Sequence, residues 1–157
     1  MNITGPLNSP LEAGLRVVFL LASGYPTSYG LEALMQLDHM LLHTGQNNGP
    51  PSIHPEVPGS VGELAVKRDL IKSGIDTMMR AGLVSAQPML HGFEFRATEN
   101  GFRFMSILDS SYARILRARA AWVHDATEGA EERDRAGVRD AVARWVLERD
   151  EARPEGE

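Results

Sequence analysis

Cysteine is absent from the chain, so the sequence offers neither a disulfide framework nor a thiolate metal site. Long apolar runs are absent too, because the longest, Val17–Ala22, has only six residues. A membrane helix needs roughly 20. The first residues also lack the basic start of a signal peptide. These absences predict a cytoplasmic protein without a membrane segment.

Basic residues are outnumbered by acidic ones, 16 against 21, which gives a formal net charge of −5. A net negative charge argues against a protein whose main function is to wrap nucleic acid, although the chain can still carry a local basic patch. The phosphate-binding loop, the nucleophile elbow and the dinucleotide fingerprint are also missing. We therefore expect no enzymatic activity and no cofactor, and a chain that acts by binding.

Helix start and stop signals predict that most of the chain is helical. Ser9, Pro10 and Glu12 form a capping box ahead of apolar residues at helical spacing, and Gly24 ends that pattern. The Asn-, Gly- and Pro-rich segment 46–59 predicts a long loop. Later helices are predicted at about 28–44, 60–80 and 99–125, and a last amphipathic helix follows residue 135.

A β-hairpin is predicted between the third and fourth helices, where Gly92 separates Val84–Met89 from the alternating Phe93–Ala97. Pro88 confines the first strand to a sheet edge or ends it early. Three helices, a hairpin and a further helix follow the order of a winged helix. The predicted fold is therefore mainly α with a small β-hairpin wing. We expect a winged helix-turn-helix domain at residues 1–126 and a C-terminal helical extension with a frayed tail at 127–157.

Two opposite charges fall on the apolar faces of neighbouring predicted helices. Asp38 lies in the apolar arc of the second helix and Arg68 in that of the third. An unpaired buried carboxylate is costly, so we predict a buried Asp38–Arg68 ion pair. Its expected role is structural rather than catalytic.

The outward face of the third helix is the one that would read a major groove in a DNA-binding winged helix. Lys72 and Arg80 on this face are balanced by Asp69 and Asp76, and the wing adds only Arg96 and His91. Because phosphate contacts supply much of DNA affinity, the balanced charge argues against sequence-specific reading. Lys72, Arg80 and Arg96 remain the candidate DNA contacts if the chain is a regulator.

Other candidate contacts lie further along. Arg103, Arg114 and Arg117 share one face of the long fourth helix over about 21 Å. Such a row of arginines is usually only a solvent-exposed face. The more specific hypothesis is that it binds an acidic partner or a nucleic-acid backbone. Trp145 on the last helix favours core or interface packing.

The histidines give a third, weaker hypothesis. His39 and His43 lie four apart on one helical face, a spacing that can hold a metal, but no zincin pattern or cysteine accompanies them. Exposed polar side chains are the preferred interpretation. His54, between prolines in the loop, is equally ambiguous and is kept as a candidate partner contact.

With these residues laid out, the sequence resembles the middle component of bacterial ABC-three-component systems. The Pro-Pro-Ser-Ile-His-Pro loop is the most specific part of the resemblance, which covers about Leu7 to Val123. The segments that carry it are Leu7–Glu12, Leu37–His39, Leu42–His43, Pro50–Pro55, Gly62–Leu64, Val66–Arg68, Met79–Leu83, Phe95–Thr98, Ser111–Ala113 and Ala120–Val123.

The resemblance implies a small subunit that acts beside an SMC-like ABC ATPase and a separate effector, in a bacterial system of defence against phage or plasmids. The ATPase would carry the nucleotide chemistry, and this chain would be a non-catalytic adaptor between the two. The alternative is a winged-helix transcription regulator that binds duplex DNA as a dimer. Homodimer formation and a weak or indirect contact with nucleic acid are left open.

Overall fold

Five α-helices and a three-stranded antiparallel sheet make up the residues that the computed structural model describes, 9–53 and 61–128. The predicted mainly helical chain with a small hairpin is confirmed at this level, while residues 129–157, including the predicted last helix, lie outside the described part. In chain order the elements are α1 (Pro10–Ser23), β1 (Tyr29–Gly30), α2 (Leu31–Leu42), α3 (Val61–Arg80), β2 (Val84–Met89), β3 (Gly92–Ala97), α4 (Glu99–Ile107) and α5 (Ser111–Glu128), with a short 3-10 helix, Thr44–Asn47, after α2.

The first helix is the centre of the fold. Ser9 caps it as predicted, because its hydroxyl accepts the backbone N–H of Glu12 at 3.1 Å. Every residue from Arg16 to Ala22 is buried, so the helix is enclosed on all sides. The other four helices contact it. The six-residue apolar run therefore forms a central core helix.

Two glycines let α1 and α3 cross at close range. A Cβ atom on Gly74 would lie 2.6 Å from the backbone nitrogen of Gly14 and 2.9 Å from the carbonyl oxygen of Pro10. Those atoms belong to a helix backbone and cannot rotate away. The crossing therefore depends on the missing side chains, which let the two backbones approach.

The sheet has the strand order β1-β3-β2. The predicted hairpin is confirmed, with Val84 opposite Ala97 and Met89 opposite Gly92. Pro88 lies within β2, which is an edge strand, so the first of the two predicted outcomes is correct. The strand β1 was not predicted, because two residues are too short to show any alternation.

The predicted single helix 99–125 is wrong, since the chain breaks into α4 and α5 at residues 108–110. Ser110 caps the new helix by accepting the N–H of Ala113 at 3.1 Å. Arg117 reaches back and donates to the carbonyl oxygens of Met105 and Leu108, which the end of α4 leaves without helical partners. Local capping thus outweighs the continuous apolar pattern.

None of the described helices combines the length and the apolar character that crossing a membrane requires.

We predict that Gly74→Ala destabilises the protein by about 1–3 kcal/mol, because overpacking against a helix backbone outweighs the better helix propensity of alanine. Urea denaturation measures the loss. Ser73→Ala is the matched control, since Ser73 is exposed on the same helix and its replacement is expected to be near neutral. A Gly74→Ala variant as stable as the parent would show that the crossing relaxes.

Candidate interaction surface

A buried ion cluster joins α1, α2 and α3. Asp38 has 0% of its side chain exposed and accepts a hydrogen bond from Arg16 Nε at 2.6 Å and a second, from an Arg16 terminal nitrogen, at 3.4 Å. The first bond goes to Oδ1 of Asp38 and the second to Oδ2, and Lys67 Nζ also lies 3.7 Å from Oδ2. The prediction that Asp38 points inward and is paired is therefore correct.

The predicted partner of Asp38 is wrong. Arg68 lies at the surface, where its guanidinium pairs with Glu32 at 2.5 Å. Each helix position turns by about 100°, so the residue before Arg68, Lys67, faces the interior in its place. Arg16 had a signal that we missed, because it is a cation directly before the most apolar run of the chain.

Burial and the ion pair act in opposite directions on these groups. Burial lowers the pKa of Arg16, but attraction and hydrogen bonding to Asp38 outweigh it and leave the pKa raised. For Lys67 burial dominates and the pKa is lowered, against the attraction of Asp38. Burial, together with the nearby Glu12 carboxylate, raises the pKa of Tyr112 to about 12. The pair with Asp38 thus favours the charged form of Arg16, and burial favours the neutral form of Tyr112.

The loop after α2 is attached to α5. A Cβ atom on Gly49 would lie 2.5 Å from the ring of Trp122, so the loop backbone rests directly on that ring. Arg119 donates to the carbonyl oxygen of Pro51 at 3.0 Å. These contacts hold the chain up to Ile53. His54, the predicted partner contact that follows, lies outside the described residues, as does Trp145 on the predicted last helix.

The predicted arginine stripe is not one surface. Arg103 is exposed on α4, whereas Arg114 and Arg117 belong to α5. Arg114 pairs with Asp109 at 2.8 Å, and Arg117 is the cap of α4 described above. The break between the helices places Arg103 on a different helix from Arg114 and Arg117, and the latter two have local partners.

The tip of the hairpin exposes three large apolar side chains. Leu90 is 96% exposed, Phe93 59% and Met89 50%, and we call these three residues the hairpin surface. Turns usually carry Gly, Asn, Asp or Ser, so Met89-Leu90 at this position was a signal that our sequence reasoning overlooked. Phe93 lies opposite Pro88 and Met89 lies opposite Gly92, so Phe93 and Met89 point to opposite faces of the sheet, with Leu90 between them at the turn. Exposed apolar side chains concentrated at one end of an element are typical of binding sites for other proteins or ligands.

A cleft of about 810 Å³ continues from the hairpin surface into the space between α2, α3 and β3. Phe93 belongs to both. Buried Ile75 and partly buried Met79 and Phe95 give the cleft an apolar floor, and the exposed Glu32–Arg68 pair lies at its rim. The cleft and the hairpin surface together form the candidate interaction surface of the described residues.

The three candidate DNA contacts are dispersed. Lys72 lines the cleft. Arg80 pairs with Asp76 at 2.8 Å, one helical turn away. Arg96 follows Phe95 on β3 and points to the opposite face, because successive strand residues alternate. The predicted compensation of Arg80 by Asp76 is therefore a direct ion pair.

The rings of His39 and His43 are neighbours, with centroids 4.5 Å apart. In residues 9–53 and 61–128, no three His, Asp, Glu or Cys side chains are placed to share a metal ion. The prediction that both histidines are exposed is wrong, because both residues are half-buried.

Comparison with known proteins places the chain among the subunits of multi-component systems. A family model described as ABC-three component (ABC-3C) system Middle Component 2 matches residues 6–148. The chain belongs to this family, and the resemblance seen in its motifs is confirmed. The match extends beyond Val123, where the motifs ended. Neither the curated proteins nor the solved structures contain a significant match.

We predict that Asp38→Asn costs on the order of 3–5 kcal/mol of folding free energy, because it leaves Arg16 buried without its counter-charge. Glu32→Gln removes the surface pair with Arg68 and is the control, with an expected loss of no more than about 1 kcal/mol. Urea denaturation at neutral pH compares the two. Equal losses would contradict a special role for the buried pair.

Proposed function

We propose that this chain is a non-catalytic adaptor that links an SMC-like ABC ATPase to an effector subunit in a bacterial defence system against phage or plasmids. Family membership supports a place among several components. The single observation that carries the adaptor role is the hairpin surface. Its apolar side chains are exposed at a position where a chain without a partner gains nothing from them.

We further propose that the fold is a winged helix. The order α1, β1, α2, α3, β2, β3 and the pairing of β1 with β3 support this assignment, with α3 as the helix that reads DNA in other proteins of this class. The fold alone does not select between DNA and protein as the partner. The choice depends on the chemistry of α3 and of the wing.

Charge and polarity favour a protein partner over duplex DNA. A wing that contacts phosphates needs cations at its tip, whereas this tip presents Leu90. On α3, Asp76 already engages Arg80. A transcription regulator would have to bind DNA without these contributions.

We predict that Leu90→Asp abolishes recovery of the partner. The tagged chain is expressed together with the neighbouring genes of its system, and an ABC-type ATPase is expected in the pull-down. A carboxylate at the hairpin tip would have to be desolvated on binding, so the variant should lose most of the recovered ATPase. Recovery at the level of the parent would overturn the assignment of the hairpin as the contact.

Ile107→Asp is the control for this experiment. Ile107 is 76% exposed at the end of α4 and does not line the cleft. The control therefore replaces an exposed apolar side chain by a carboxylate at a position outside the candidate interaction surface. It should leave recovery unchanged. A gel-shift titration against salt tests the rival, since nanomolar, sequence-selective binding of duplex DNA by the purified chain would favour the regulator.

A further inference from the structure

The cleft beside the hairpin combines an apolar floor with an uneven rim of charge. Ile75, Met79 and Phe95 provide the floor. At the rim, the carboxylate of Glu32 is already occupied by Arg68 at 2.5 Å. Lys72, one turn further along α3, lines the same cleft. Two cations thus face one carboxylate.

Lys72 has no ion-pair partner among the residues that the structure describes. Lys72 is exposed and lines the same cleft as the apolar floor, so a ligand seated on that floor can bring a counter-charge to it. The exposed His91 also lines the cleft, on the hairpin side, and adds N–H donor capacity. The cleft is therefore suited to a ligand that is apolar at its centre and acidic at its edge.

From this arrangement we propose that the cleft binds an acidic segment of the partner subunit. An apolar side chain of that segment inserts between Met79 and Phe95, and a neighbouring carboxylate pairs with Lys72. This inference deepens the proposed function and rests on it, since it names the chemistry of what the adaptor holds. The chain carries a net charge of −5, so a cleft with surplus positive charge is a local exception that selects its ligand by sign.

Nucleic acid fits the same residues less well. A nucleic-acid backbone presents a series of phosphates, whereas of the two basic side chains that line the cleft, Arg68 is engaged by Glu32 and only Lys72 has no ion-pair partner among the described residues. Phe93 is the one lining phenylalanine with most of its surface exposed, and base stacking along a strand needs successive platforms. An acidic peptide requires only one apolar anchor and one counter-charge.

The test uses overlapping 15-residue synthetic peptides that cover the ATPase and effector encoded beside this chain. Binding to the full chain is followed by fluorescence anisotropy. The expected best binders contain acidic residues next to a large apolar one, and their affinity falls as salt is raised. Lys72→Glu should weaken them by at least about tenfold, because it replaces attraction by repulsion.

Arg96→Glu is the matched control, because it makes the same charge reversal on the opposite face of β3 and should change affinity less than about twofold. Both side chains are exposed, so neither variant should alter folding. The inference is overturned if no peptide binds, if neutral peptides bind best, if both variants bind alike, or if a single-stranded oligonucleotide or a second copy of the chain occupies the cleft instead.

The outcomes separate this inference from the proposed function. If Lys72→Glu still recovers both the ATPase and the effector in the pull-down and Leu90→Asp does not, the adaptor role stands and the acidic segment is wrong. If both variants recover it fully, the hairpin and the cleft are both excluded as the contact.

Discussion

The fully buried carboxylate of Asp38 depends on Arg16, which supplies both its hydrogen bonds and its counter-charge. That requirement fixes how α2 lies against α1. Lys67 extends the same constraint to α3, so three helices share one charged centre. An apolar contact tolerates small sliding movements, whereas an ion pair of this kind penalises them, because separation leaves a charge without a partner in a dry interior.

The positions of α2 and α3 determine the shape of the cleft between them. The glycine crossing sets the distance of α3 from α1, and the ion cluster sets the position of α2 relative to both. The hairpin follows α3 directly and is tied back to the helices through β1. A surface built on such a frame exists before any partner arrives, so binding loses less free energy to ordering.

The interaction surface has chemistry that suits protein recognition. Its large apolar side chains at the hairpin tip are exposed, and Glu32 at its rim engages Arg68, so that this cation is not available to a nucleic-acid phosphate. Membership of the middle-component family places the chain in a multi-component system. Among the described residues, the cleft offers Lys72 as a cation without an ion-pair partner, which is the feature that the proposed partner contact uses.

Local rules in the sequence determined the cap at Ser9, the core run Val17–Ala22, the hairpin pairing and the inward direction of Asp38, since each depends on residues close together in the chain. Tertiary structure alone decided the partner of Asp38, because Arg16 and Asp38 are brought together only when α1 and α2 pack. It also decided the break before α5, where Arg117 supplies an end cap from a distance, and the exposure of the hairpin tip, which depends on what the rest of the chain leaves uncovered.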